Sequence, residues 1–169
     1  ELAHILRNSD CQYLLAARRF LSHDYAATLE AALPGLADGH AGELRLPDAP
    51  YLRAIWLDEA EGLGWARPLG ELEALADAPG APSAVILAAI EREVAPGDDA
   101  VVICTSGSTA LPKAVVHRHW ALVRHAPVLA EQFALTPGDR MMPLLPLFWL
   151  AGMSTMLQVL SIGGTLVFP

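Results

Sequence analysis

Residues Thr105-Ser106-Gly107-Ser108-Thr109-Ala110-Leu111-Pro112-Lys113 gather four hydroxyls, one glycine and one lysine within nine positions. Hydroxyls and exposed backbone N–H groups in a turn form an anion-binding concavity, and an ammonium adds a point charge to it. Polyphosphate is the ligand that such a loop suits. A solvated Ser/Thr turn has the same composition, so composition alone leaves both readings open. Lys113 stands out for a second reason: it is the single lysine among eleven basic residues.

The loop is not the P-loop of nucleotide triphosphatases. That motif needs G-x-x-x-x-G-K-[ST] with a helix starting at the lysine. Here Pro112 stands where the second glycine belongs, Ala114 where the hydroxyl belongs, and Val115-Val116 follow. Other reactive residues carry weaker signals. His117, His119 and His125 lack a nearby Cys or carboxylate in sequence, which argues against a metal site. Cys104 ends an apolar run and reads as packing, because no base for a nucleophile can be placed beside it. Phe148 and Trp149 read as core packing from sequence alone.

The elements that must hold the loop follow from periodicity and punctuation. Ala100–Cys104 is an almost continuous apolar run, the pattern of a strand buried on both faces. It is led in by the Pro96-Gly97-Asp98-Asp99 turn. Strands are also expected at 12–16, 51–57, 140–145 and 165–168, with a short β-branched run at 115–116. Helices are expected at 1–8, 69–77, 83–94, 120–133 and 150–161, and one capped by Ser22 that carries Tyr25, Leu29 and Leu33. Pro34-Gly35 stops that helix, and residues 36–50 read as loop. Strands alternating with helices predict an α/β protein, three-layer α/β/α with a mostly parallel sheet. A single domain or subdomain over residues 1–169 is the expectation from length.

Composition bounds the partners. Apolar residues make up 53% of 169 residues, which argues against disorder and for apolar surface that meets something further. The net charge of −8 argues against a nucleic-acid scaffold. That charge is uneven: residues 1–100 hold 7 Arg against 17 Asp and Glu, whereas 101–169 hold four basic residues against two acidic ones. An anionic ligand is therefore expected in the second half. Two cysteines make no disulfide framework, so a reducing compartment, the cytoplasm, is the default. Residues 141–169 carry no charge, but Pro143, Pro146 and Gly163-Gly164 cut the apolar core to 147–162, short of the ~20 residues a bilayer span needs.

Residues 104–115 resemble the phosphate loop of the adenylate-forming superfamily, [ST]-S-G-[ST]-T-G-x-P-K-G-V, which includes acyl-CoA synthetases, firefly luciferase and peptide-synthetase adenylation domains. His119 falls where that family commonly has a histidine after the loop. Leu145-Pro146-Leu147-Phe148-Trp149-Leu150-Ala151-Gly152-Met153 is similar to its next motif, P-L-F-H-x-x-G, with Trp149 in place of the histidine. Gly163-Gly164-Thr165-Leu166-Val167 resembles the strand that follows, and Glu1–Leu6 with Ser9-Asp10 an early helix of fatty-acyl-CoA ligases. Two loop glycines of the family are Ala110 and Ala114 here. A left-handed conformation at such a position costs a non-glycine residue roughly 1–2 kcal/mol.

The resemblance implies a fragment of the family's large N-terminal domain that does not turn over alone. It implies a cytoplasmic acid–thiol ligase of fatty acid metabolism, an acyl-CoA synthetase that takes a small-molecule carboxylic acid with ATP, Mg²⁺ and coenzyme A. By the same resemblance, Thr105, Ser106, Gly107, Ser108, Thr109 and Lys113 hold the phosphates, and Phe148, Trp149 and Gly152 shape the acyl pocket. The family's catalytic lysine has no counterpart in this chain. An amino-acid or aryl-acid adenylation domain feeding a carrier protein, and a noncatalytic α/β binding module, are the alternatives. The first partner of the chain would be the remainder of its own protein.

Overall fold

The computed structural model describes residues 1–105 and 111–168. The chain divides into two compact units, Glu1–Ala88 and Ala89–Pro169.

The first unit opens with helix α1 (Leu2–Asn8) and strand β1 (Tyr13–Ala16), followed by the short strands β2 (Arg19–Phe20) and β3 (His23–Asp24). Helix α2 (Tyr25–Ala32), strand β4 (Ala54–Leu57), strand β5 (Arg67–Pro68) and helix α3 (Glu71–Ala76) complete it. Strands β1, β4 and β5 form a parallel sheet in that order, with Tyr13 opposite Ala54 and Trp56 opposite Arg67. Alternation along β1 and β4 sends Leu14, Ala16, Ile55 and Leu57 into one apolar cluster with Leu29 of α2. Much of that cluster comes from irregular chain: Leu33, Leu36, Leu44, Leu46 and Leu52 are all buried, and none lies in a helix or strand. Trp65 sits among them with its Nε1 donating to Glu30 Oε1 at 2.8 Å.

The start of α2 differs from the sequence expectation. Its cap is Asp24, not Ser22: Asp24 Oδ1 accepts from Ala27 N at 2.9 Å. Residues 19–24 fold as a β2–β3 hairpin, in which Arg19 pairs with Asp24 and the turn falls at Leu21-Ser22. Ser22 is thereby spent on the turn. The Ala27 N–H, and after it Arg19, hold the Asp24 carboxyl below the usual carboxylate range against a desolvation penalty. In the second unit the Thr136 N–H and hydroxyl do the same for Asp139, at 2.6 and 2.9 Å.

A carboxyl with a lower pKa in the folded state stabilises that state above its unfolded value, about 3.9 for Asp. The contribution is lost as pH falls from there through the folded value. Folding stability is therefore expected to decline below about pH 4 partly through these two groups. Asp24→Asn, which keeps the cap, should flatten part of that decline in denaturant titrations run across pH. An unchanged acid limb would rule Asp24 out as a contributor.

Helix α4 (Ala84–Glu93) spans the boundary between the units and buries none of its residues. The second unit then runs through β6 (Asp99–Thr105), β7 (Lys113–Arg118), α5 (His119–Gln132), β8 (Arg140–Met141), α6 (Leu150–Ser161) and β9 (Thr165–Leu166). Strands β6 and β7 form an antiparallel hairpin, and β8 and β9 a parallel pair joined through α6. Helices α5 and α6 pack on each other, burying Ala126 and Ala130 of α5 and Val159 of α6. Helix α6 ends where the sequence places its stop. Gly163 takes a left-handed φ of 76°, and the N–H groups of Gly163 and Gly164 return to Leu160 O and Val159 O.

The mixed α/β class with a parallel sheet agrees with the sequence reading. The expectation that 100–104 is buried on both faces does not hold: of β6 only Ile103 is buried, and Val102 is exposed. Continuous apolarity announces two apolar faces, but here most of β6 lies at the surface.

Candidate phosphate loop and acyl-pocket residues

The hairpin sets the geometry of the loop. Thr105 is the last residue of β6, Lys113 the first of β7, and the two are directly paired. The Thr105 hydroxyl lies 3.5 Å from the Lys113 carbonyl, to which it donates. Thr105 and Lys113, the first and last residues of the motif, thus share one rung of the hairpin. The far end of the hairpin is held by Arg118 and Asp99 at 3.7 Å, and by Trp120 N donating to Pro96 O at 2.9 Å. Thr105 and Lys113 are both exposed. Ser106, Gly107, Ser108, Thr109 and Ala110 lie outside the described residues. Among the described residues no three His, Cys, Asp or Glu gather as metal ligands, and no helix is long and apolar enough to cross a membrane.

The second motif forms the approach to α6. Phe148 and Trp149 are 72% and 50% exposed and stack edge to face, with ring centroids 5.9 Å apart. Gly152, in the first turn of α6, is buried. A Cβ on it would collide with the Pro146 carbonyl and come within 2.7 Å of Leu145 O. That same Pro146 carbonyl accepts from Trp149 N at 3.0 Å, so the close approach fixes how the chain enters the helix. Gly152→Ala is expected to destabilise the protein by about 1–3 kcal/mol, as overpacking against unyielding backbone does. Chemical denaturation checks this, and a change below a few tenths of a kcal/mol would contradict the contact.

A cavity of about 440 Å³ lies between α5 and α6, with Trp120, Arg124, His125, Leu129, Leu150 and Ser154 on its wall. His117 of β7 also reaches it. Of the second motif it includes Leu150, and neither Phe148, Trp149 nor Gly152 lines it. Arg124 and His125 went unnoticed in the sequence as a pair facing an apolar cleft. The available signal was their place one helical turn after Trp120 and Ala121 on a helix with an apolar face.

The same fold occurs in solved CoA ligase structures. The anthranilate CoA ligase AuaEII, solved in complex with anthranoyl-AMP, superposes with a TM-score of 0.70 at 19% identity, over 100% of this chain and 28% of that one. That likeness establishes the fold. The chain belongs to the AMP-binding enzyme family, whose model matches residues 1–169. Among curated relatives, the candidate acyl-CoA synthetase YngI of Bacillus subtilis (strain 168) is 27% identical over 99% of this chain and 30% of its own length. The olefin beta-lactone synthetase of Stenotrophomonas maltophilia (strain K279a) is 32% identical over 78% of this chain and 22% of its own. The chain thus spans under a third of the length of these two curated relatives.

Proposed function

We propose that this chain is part of the large N-terminal domain of a cytoplasmic acid–thiol ligase, and that its loop grips the phosphates of ATP. In the first half-reaction a carboxylate oxygen attacks the α-phosphorus of ATP, and pyrophosphate leaves to give an acyl-adenylate. In the second the thiol of coenzyme A attacks the acyl carbonyl, the proton of the thiol is lost, and AMP leaves. Mg²⁺ enters as part of the ATP–Mg²⁺ substrate. Such chemistry asks a protein chiefly for positioning and for neutralising phosphate charge.

The observation that supports this most is the rung at which Thr105 and Lys113 pair. It converges both ends of a hydroxyl-rich loop on the single lysine of the chain. In this reading Thr105, Ser106, Gly107, Ser108, Thr109 and Lys113 hold the β- and γ-phosphates, which depart as pyrophosphate. Phe148 and Trp149 border the acid, and Gly152 sets how the segment that carries them enters α6. Carboxylate-dependent ATP–pyrophosphate exchange by the protein that contains this chain tests the reading. The acid panel should run from fatty and cyclic acids to aryl acids and amino acids. Exchange with an apolar acid is expected. Exchange with amino acids alone would move the protein to the carrier-protein branch, and exchange with no acid would overturn the enzyme reading.

A further inference from the structure

The β6–β7 hairpin has two unlike faces. Paired residues on neighbouring strands share a face, and successive residues alternate. Val101, Ile103, Val115 and His117 therefore lie on one side, and Val102, Cys104, Ala114 and Val116 on the other. The first side is partly covered: Ile103 is buried, and His117 reaches the cleft between α5 and α6. The second side lies open among the described residues. Val102 and Val116, which pair directly, are 42% and 52% exposed, Ala114 is exposed and Cys104 is half-buried.

No charged side chain stands on that second face, so exposure to water brings it no compensation. A two-stranded ribbon is also marginal by itself and needs a further strand or a packed helix for stability. The size of the face argues for what covers it. Two valines, an alanine and a cysteine present far less than the about 800 Å² per partner of a standard interface between proteins. Association of separate molecules must also offset lost translational and rotational freedom, whereas a tethered segment of the same polypeptide loses much less. The family has chain enough for such a segment, since these 169 residues match 30% of one curated relative and the aligned part 22% of another.

We propose that the face formed by Val102, Cys104, Ala114 and Val116 is covered, within one molecule, by an apolar segment of the same polypeptide from outside residues 1–169. This rests on the reading of the chain as part of a larger N-terminal domain. Thiol labelling of the protein that contains this chain tests it, with a maleimide as the probe and peptide mass spectrometry as the readout. Val116→Cys places a thiol at the most exposed point of the face, and Cys104 reports on the same face in the unaltered protein. Labelling at position 116 is expected to be about tenfold or more slower in the native protein than in the same protein unfolded in urea. The protection should be the same across about a hundredfold range of protein concentration. Protection below tenfold overturns the proposal, and so does protection lost on dilution, which marks a second copy as the cover. ATP–pyrophosphate exchange on the same variant separates the two readings. Exchange without protection refutes the covered face and keeps the ligase, whereas protection without exchange does the reverse.

Discussion

Replacement of Lys113 by Ala is expected to lower carboxylate-dependent ATP–pyrophosphate exchange by about 10²–10³-fold in the protein that carries this chain. That is the usual loss when one preorganised donor to developing charge is removed. Lys113 lies at the first position of β7 and is exposed, so the substitution removes charge without opening a hole in the core. Its backbone partner Thr105 keeps the rung, because that pairing belongs to the main chain. The division between kinetic constants identifies the role. If the ammonium chiefly stabilises the departing pyrophosphate, kcat falls with KM for ATP little changed. If it only anchors ATP in the ground state, KM rises and kcat holds. Lys113→Arg keeps the charge but changes its shape, and should restore part of the rate. Wild-type exchange in Lys113→Ala would remove the loop from the mechanism.

The largest effect on stability is expected at Trp65. Its side chain is 1% exposed, surrounded by the leucines of the first unit, and its Nε1–H donates to Glu30. Truncation to Ala should cost about 3–5 kcal/mol in transfer and cavity energy. Against a total folding free energy of about 5–15 kcal/mol, such a loss threatens the folded state outright. Trp65→Phe keeps an aromatic ring and loses the hydrogen bond to Glu30, so it should cost distinctly less. Urea unfolding followed by circular dichroism gives both values. A loss under about 1 kcal/mol in Trp65→Ala would mean that the cluster does not act as a cooperative core.

Much of the frame was legible in the residues, and the failures have causes. Helix α6 runs over the span its punctuation predicts, because Gly163 just past its end takes a left-handed φ that few other residues adopt. Strand β4 begins at Ala54 and not at Tyr51, because Leu52 N is engaged by Ala49 O in the preceding turn. The strand expected at 140–145 stops at Met141, two residues before Pro143, which has no N–H to offer a ladder. Strand β5 is two residues long and contains Pro68, so nothing periodic announced it.

The candidate site stood out in composition, and its geometry was only partly foreseeable. The loop and its lysine stood out, but a mostly parallel sheet was expected, with no sign that the strands flanking the loop would pair antiparallel. Seven residues between β6 and β7 are too few for a parallel crossover, which needs a dozen or more, and the antiparallel hairpin follows from that length. Gly152 was singled out for a pocket. Its immediate physical role is to let the Pro146 carbonyl approach the helix, a contact between neighbouring backbones that no side-chain pattern encodes.

The pairing of Tyr13 with Ala54 has a consequence for how the chain reaches its native state. Those partners are about 40 positions apart, whereas Thr105 and Lys113 are separated by about eight, and closing the longer loop costs about 1.4 kcal/mol more entropy. The β6–β7 hairpin can therefore zip on the microsecond scale of isolated hairpins. The parallel sheet of the first unit must wait until its leucine-bearing loop has collapsed. The slow step of folding thus falls in the half of the chain that is synthesised first.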